Sequence, residues 1–152
     1  MRLCITAFVF LFSIGVFGQE EEDCYKNLND LIKLADMPLY DIYEDGGYTT
    51  YEMNENQGNK AALVDSILNV VYTEVHAIFD CLIEDGSCNE HQEAKSQLIL
   101  SQRAWIKLRD AECLIARATA CGGSIRNLYY SSEKMTLTKE RTQFLLGMIR
   151  TF

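Results

Sequence analysis

Four side chains able to bind a partner follow one another at helical spacing in the second half of the chain. They are Gln102, Trp105, Arg109 and Glu112, separated by three, four and three residues. On a helix this spacing puts all four on one stripe, where Arg109 can lie over the Trp105 indole and reach Glu112. Paired charges on a helix stabilise packing more often than they catalyse, so the stripe predicts either an ordered polar seam between helices or a binding surface. The other charged residues of this segment fall on the opposite side, which we expect to be solvated: Arg103, Lys107, Asp110 and Arg117.

No arrangement typical of a catalytic site accompanies this stripe. His76 and Asp80 are four residues apart, but no third metal ligand stands out beside them. Ser124 follows Gly122 and Gly123 without the G-x-S-x-G order of a hydrolase, and two glycines are accounted for by the end of a helix. We therefore expect no catalytic residues, no metal and no cofactor, and a protein that is not an enzyme.

Two long helices are predicted to position the stripe. Between Lys60 and Ile83 apolar residues recur every three or four positions, and the residues 84–87 interrupt this pattern. Asn89 and Gln92 resemble a capping box that begins the second helix, which Gly122 and Gly123 end. A short turn between two long helices favours antiparallel packing. The residues predicted to face the core are Val64, Ile67, Leu68, Val71, Val75, Ile78 and Leu82 in the first helix, and Ala94, Leu98, Ser101, Trp105, Leu108, Ala111, Ile115 and Ala118 in the second.

Shorter helices are predicted on either side of this pair. Residues 23–36 have an amphipathic pattern that Pro38 ends, and residues 39–59 form a tyrosine-rich connector with a short helix near 51–56. Thr138 is the predicted N-cap of a last helix that buries Leu145, Met148 and Ile149. The predicted fold is therefore all-α, a small helical bundle built around two long antiparallel helices, with disulfides.

The first eighteen residues have the order of a secretory signal peptide. Arg2 precedes an apolar run that ends in Val16-Phe17-Gly18, and acidic residues follow directly. The run is shorter than the roughly 20 residues of a membrane span, and no second stretch that could cross a bilayer is evident. The sequence thus predicts a signal peptide over 1–18, one helical domain over 19–152, periplasmic or secreted location, and no stable membrane anchor after cleavage.

Five cysteines would remain after cleavage, and an oxidising compartment favours their pairing. Cys81 and Cys88 flank a helix-to-turn transition, and Cys113 and Cys121 bracket the end of the second helix. Both pairs are therefore disulfide candidates, which would leave Cys24 single, although the spacing does not choose among the possible pairings.

The chain carries a formal net charge of −8. This charge disfavours binding to nucleic acid and to anionic lipid, and it favours a basic protein as partner if the partner is charged at all. Solubility alone is an equally good explanation of the acidity.

Residues 100–145 resemble the LprI-like lysozyme-inhibitor family of small exported helical proteins. The resemblance is carried by the segment 102–113, which reads QRAWIKLRDAEC, by Gly122-Gly123-Ser124, and by Leu137-Thr138 with Arg141-Thr142 and Leu145. Upstream, Glu52-Met53-Asn54 and the segment 65–72 are also similar to the family. Where the family usually has cysteines this chain has Asn56 and Ser131-Ser132, so the family's usual bridges do not transfer.

The resemblance implies inhibition of lysozyme-type peptidoglycan hydrolases by protein–protein binding. It marks Gln102, Trp105, Arg109, Asp110 and Glu112 as signature residues of the family. The turn that follows, with Gly123, Ser124 and Arg126, is a candidate for contact with the cleft of the enzyme. Two alternatives stay open: a binding or scaffold module of the cell envelope without a lysozyme partner, and an enzyme acting on cell-wall material.

Overall fold

Residues 49–86 and 88–149 contain three helices and no strand. A computed structural model describes residues 49–86 and 88–149 together with Asp30 and Lys33. Its helices are α1 (Thr50–Glu84), α2 (Glu90–Thr119) and α3 (Arg126–Ile149). The all-α prediction is confirmed. The predicted signal peptide and most of the predicted helix over 23–36 lie outside the described residues, although Lys33 Nζ and Asp30 Oδ1 form an ion pair of 3.1 Å.

A capping box begins α1 ten residues before the predicted start of the first long helix. The Thr49 hydroxyl accepts a hydrogen bond from the Glu52 amide at 3.2 Å, and the Glu52 carboxylate accepts one from the Thr49 amide at 2.9 Å. This reciprocal pair satisfies amides that the first helical turn leaves free. The predicted connector is therefore wrong over residues 50–59, and the short helix predicted near 51–56 is the beginning of α1.

The other two helix starts also differ from the predictions. Asn89 has helical angles (φ −67°, ψ −25°) and its side chain makes no capping bond, so the capping box predicted with Gln92 is wrong. Thr138 is not an N-cap, because α3 begins at Arg126 and runs through it. The Thr138 side chain is fully buried in the middle of α3, and its hydroxyl has no hydrogen-bond partner among the described residues.

Contacts between the helices define their directions. Asp80 contacts Lys95 and Asp65 contacts Arg109, so α1 and α2 are antiparallel. Asn54, early in α1, contacts Ser124 just before α3, and Asp65 contacts Lys134, so α1 and α3 run in the same direction. The most extensive packing joins α1 to α3, and the least extensive joins α1 to α2. The main partner of α1 is thus α3, where the sequence predicted α2.

Most of the buried apolar side chains come from α1. All seven core residues predicted for the first long helix are buried, together with Ala61 and Phe79. From α3, Leu145 and Ile149 are buried as predicted, while Met148 is half-buried and packs on the edge of the core. The apolar rhythm of α1 therefore gave the correct buried face.

The predicted core face of α2 is largely wrong. Leu98 is buried, but Leu108 and Ile115 are 56% and 65% exposed, and the alanines beside them are exposed as well. The face that α2 turns towards α1 and α3 instead carries two polar residues, Gln102 and Arg109. We use the term outer face of α2 for the seven exposed apolar residues Leu100, Ala104, Leu108, Ala111, Leu114, Ile115 and Ala118.

By length and composition alone, α1 could cross a membrane. It contains an 18-residue window with a mean hydropathy of 1.4. The prediction that no second stretch could cross a bilayer is therefore wrong on this criterion. In the bundle, however, the apolar side chains of α1 form the core against α3 and α2, which accounts for the composition of this helix without a membrane.

Candidate binding site and the polar seam beside it

A network of polar side chains joins the three helices near the middle of the bundle. We call it the polar seam. It consists of Asp65 from α1, Ser101, Gln102, Trp105, Arg109 and Asp110 from α2, and Lys134 and Arg141 from α3.

Arg109 connects α2 to α1 within the seam. Its Nη1 donates to Asp65 Oδ1 at 2.7 Å, and its Nε and Nη2 donate to Asp110 Oδ1 at 3.0 and 2.9 Å. The guanidinium carbon lies 5.1 Å from the centre of the Trp105 ring, which is within the range of a cation–π contact. Lys134 Nζ lies 3.8 Å from the second oxygen of Asp65, so a residue of α3 pairs with the same carboxylate.

Arg141 connects α3 to α2 and also lies near the Trp105 ring. Its Nε donates to Gln102 Oε1 at 2.9 Å, and its Nη2 donates to Ser101 Oγ at 2.7 Å. Its guanidinium carbon is 5.8 Å from the Trp105 ring and 5.0 Å from the ring of Phe144. Burial lowers the pKa of the Arg141 guanidinium from its ordinary value. Two arginines from different helices therefore share one indole.

The seam fastens α2 to the other helices. Gln102 is 7% and Arg109 9% exposed, so neither offers much surface to a second protein. The predicted contact from Arg109 to Glu112 is replaced by Asp65 and Asp110, because the guanidinium turns towards α1. Asp110 was predicted on the solvated side, but it is half-buried because it adjoins the buried Arg109 and accepts from it.

A tight turn between α2 and α3 occupies one end of the bundle. Cys121 and Gly122 both have left-handed angles, with φ of 48° and 84°. A Cβ on Gly123 would lie 3.3 Å from the Ala120 carbonyl oxygen, so glycine fits this position best. The Asn54 side chain donates to the Ser124 carbonyl at 3.1 Å and ties the turn to the first turns of α1. Asn54 Oδ1 is buried without a hydrogen-bond partner among the described residues.

Exposed side chains of mixed chemistry surround this turn. Tyr51 is 74%, Tyr129 48% and Ile125 37% exposed, and Ser124 and Arg126 are exposed between them in the chain. We call these five residues the turn surface. They lie where α1 and α3 begin, and the hydrogen bond from Asn54 holds their backbones together. This combination of aromatic, aliphatic and cationic groups on a fixed backbone is typical of protein-binding sites.

The predicted site residues thus separate into two places. Gln102, Trp105, Arg109 and Asp110 come together in the polar seam, and Gly123, Ser124 and Arg126 lie at the turn. Glu112 is half-buried on α2 and belongs to neither. Along α1, the eleven residues from Asn54 to Asp65 correspond to about 16 Å of helix, so the turn and the centre of the seam are distinct sites.

The residues of α1 and α3 that contact the polar stripe of α2 were not predicted from the sequence. Asp65, Lys134 and Arg141 complete the seam, and Tyr51 and Tyr129 contribute to the turn surface. Asp65 and Arg141 were part of the family resemblance, and that was the one signal that pointed to them. Their pairing depends on the tertiary arrangement of the helices, which helical spacing within one segment does not contain.

The two predicted local disulfides are not formed between the described cysteines. Cys88, Cys113 and Cys121 are free thiols. Cys113 is buried within α2 and lies eight residues before Cys121, a separation of about 10 Å or more along the helix, whereas bridged cysteines have Cα atoms within about 7 Å. Cys88 donates instead to Glu90 Oε2 at 2.8 Å, and this hydrogen bond lowers the pKa of Glu90. Burial raises the pKa of the Cys113 thiol.

The side chains of His76 and Asp80, four residues apart in α1, contact each other. Nδ1 of His76 lies 3.4 Å from Asp80 Oδ2, and Lys95 from α2 pairs with the other oxygen of the same carboxylate. No group of three or more potential metal ligands occurs within the described ranges. The Asp80 carboxylate therefore serves to join α1 to α2.

The described residues define a class of helical proteins: three packed helices joined by a partly buried polar seam, with an exposed turn at one end. The family model described as lysozyme inhibitor LprI matches residues 44–145 of this chain, which includes all of α1 and α2 and most of α3. The chain belongs to this family. Neither a curated protein nor a solved structure matches it.

Proposed function

We propose that this chain is an exported inhibitor of lysozyme-type peptidoglycan hydrolases that acts by binding the enzyme and not by catalysis. The observation that carries the proposal is membership of the lysozyme-inhibitor family over residues 44–145. The signal-peptide pattern of residues 1–18 supports export to the periplasm or out of the cell. Both locations are places where an inhibitor would meet a wall-cleaving enzyme.

The turn surface is the proposed contact with the enzyme. The seam residues Gln102 and Arg109 are too deeply buried to meet a partner, whereas Ser124 and Arg126 are exposed within the part of the chain that matches the family. Tyrosine and arginine are frequent among residues that dominate binding energy, which makes Tyr51, Tyr129 and Arg126 the strongest candidates. The hydrogen bond between Asn54 and Ser124 reduces the entropy that the turn would lose on binding.

Inhibition then follows from occupation of the cleft. Glycosidases of this type use a carboxylic acid and a carboxylate on either side of the scissile bond. Arg126, which is exposed, would pair with such a carboxylate, and the tyrosines beside it would exclude the polysaccharide. The net charge of −8 would steer the inhibitor towards a basic enzyme and increase the association rate.

A lysis assay tests the contact surface. Turbidity of a cell-wall suspension is followed with hen-type lysozyme and increasing amounts of the mature chain. We expect Tyr129→Ala with Arg126→Glu to raise the concentration needed for half-inhibition at least about tenfold, since loss of one dominant contact costs about 1.4 kcal/mol or more. Arg103→Glu is the matched control, because Arg103 is exposed on α2 outside the turn surface. Equal inhibition by both variants, with helical content retained, would exclude the turn surface as the contact.

An envelope-binding or scaffold module without a lysozyme partner is the second candidate. The family description supports the lysozyme inhibitor. If that proposal is correct, the net charge of −8 predicts that the complex with a basic lysozyme weakens as salt increases. A pull-down with lysozyme at low and at high salt separates the two. Absence of a complex at low salt, together with absence of inhibition, would favour the scaffold module.

A further inference from the structure

The outer face of α2 is a long apolar surface on the side of the helix opposite the core. Leu100, Leu108 and Leu114 are each 56% exposed and Ile115 is 65% exposed, and three alanines lie between them. From Leu100 to Ala118 the face is about 27 Å long, and with a helix diameter of about 10 Å it covers roughly 300 Å². Apolar patches of about this size are often functional on a monomer.

Negative charge is absent from this face although the chain is acidic. Along the stretch from Ser96 to Thr119, the exposed residues include no aspartate or glutamate. Asp110 and Glu112 are half-buried, and the Asp110 carboxylate accepts hydrogen bonds from Arg109. The exposed charges are those of Arg103 and Lys107. Repulsion between exposed carboxylates of two copies is therefore weak where these faces meet, and like charge there is limited mainly to Arg103 and Lys107.

The spacing of the outer face fits a copy of itself. Ala104, Leu108, Ala111, Ile115 and Ala118 are separated by four, three, four and three residues, as in the seam of a coiled coil. The large residues occupy one set of positions and the alanines the other. In an antiparallel pair centred between residues 109 and 110, Leu108 faces Ala111 of the second copy, and Ile115 faces Ala104. Leu108 and Ile115 then each have an alanine opposite, whereas a parallel pair would place alanine against alanine and leave gaps.

We propose that the outer face of α2 binds the outer face of α2 in a second copy, antiparallel, to form a two-fold symmetric dimer. Two patches of this size bury on the order of 600 Å², which is less than the 1,200–2,000 Å² of stable interfaces. The dimer is therefore weak and depends on concentration. It does not depend on the proposed function, and it leaves both turn surfaces exposed at opposite ends.

Sedimentation velocity of the mature chain from micromolar to millimolar concentration tests the proposal. We expect the wild type to shift from monomer to dimer, and Leu108→Glu with Ile115→Glu to remain monomeric throughout. Both side chains are more than half exposed, so the double variant should keep its helical content. Val70→Glu is the matched control, because Val70 is 45% exposed on α1 outside this face, and it should dimerise as the wild type does. A monomeric wild type at millimolar concentration, or a double variant that dimerises equally well, overturns the proposal.

Cys121 reports the orientation of the two helices. Antiparallel pairing places the two Cys121 residues about 35 Å apart, while parallel pairing brings them together. Cys121 is exposed and free, so mild oxidation of the dimer should give no Cys121 crosslink, and a rapid, efficient crosslink refutes the antiparallel arrangement. Vesicles containing phosphatidylglycerol test the other occupant. If the wild type forms no dimer but binds these vesicles, and the double variant does not bind them, the face is a lipid-binding surface. That result would overturn the dimer.

Discussion

The Gln102, Trp105 and Arg109 side chains, whose spacing suggested a binding site, contact other helices inside the bundle. Trp105 is half-buried, and guanidinium groups from α2 and α3 lie 5.1 and 5.8 Å from its ring. Arg109 completes this arrangement by pairing with Asp65 on α1. The side chains that form the most specific part of the sequence therefore hold helices together, and the exposed contact groups are elsewhere.

Replacement of Arg109 by methionine should destabilise the bundle. The Asp65 carboxylate, whose side chain is 33% exposed, would lose a charged hydrogen bond of 2.7 Å, and such bonds contribute about 1.5–3 kcal/mol. We expect the free energy of unfolding, measured by urea denaturation, to decrease by about 2 kcal/mol. Arg103→Met should change it by less than about 0.5 kcal/mol because Arg103 is exposed. A similar small change for Arg109→Met would contradict a structural role for the seam.

At the scale of the elements, α1 could be predicted much better than α2. The apolar residues of α1 lie on one face, and the periodic pattern identified all seven predicted core positions. The first ten residues of α1 are mostly polar, so periodicity gave no signal there and the start depends on the capping box. In α2, apolar residues form the outer face and polar residues form part of the inner one, so hydrophobic periodicity pointed to the wrong side.

Only the part of the candidate site that lies within a single segment of the chain could be predicted from the sequence. The Gly122-Gly123-Ser124 turn was located from glycines and helix ends, and the structure puts left-handed angles there. The hydrogen bond from Asn54 joins residues 70 positions apart, and the hydrogen bonds and ion pairs of the seam that cross between helices join residues 39 to 69 positions apart. Contacts at such separations are set by helix packing, which the local pattern does not specify.

The pairing of α1 with α2 near their connection should depend on pH. Lys95 donates to Asp80 and lowers the pKa of this carboxyl below its ordinary value. Since the folded pKa is depressed, the stabilisation is present above about pH 4, the ordinary value for aspartate, and is lost as pH falls through the lower folded value. In thermal unfolding, Asp80→Asn should melt below the wild type at pH 7, and the difference should close by pH 2. Glu55→Gln, at an exposed position without an ion pair among the described residues, should show no such convergence. A gap that stays constant from pH 7 to pH 2 would rule out the Asp80 contribution.

At the scale of the whole molecule, the net negative charge and the proposed contact residues lie on different parts of the surface. The net charge is −8, yet the exposed charged residues of α2 near its outer face are Arg103 and Lys107, and the turn surface combines aromatic groups with Arg126. Long-range attraction to a basic enzyme would therefore come from the molecule as a whole, and short-range contacts from one end of it.

This division predicts how salt affects the proposed complex. We expect the association rate with lysozyme, followed by stopped-flow fluorescence, to fall about tenfold between 20 and 500 mM salt, because screening weakens steering. The dissociation rate should change much less. Tyr129→Ala should mainly increase dissociation, since it alters the contact and leaves the total charge unchanged. An association rate that does not respond to salt would exclude electrostatic steering.

The burial of Gln102 and Arg109 has a consequence for relatives of this protein. A sequence pattern whose defining side chains are buried between helices identifies chains that share an architecture, and those buried side chains do not themselves contact a target. Two chains can keep this pattern unchanged and still bind different targets if only the few side chains of the turn surface differ. Specificity should therefore be sought among the exposed residues around the turn.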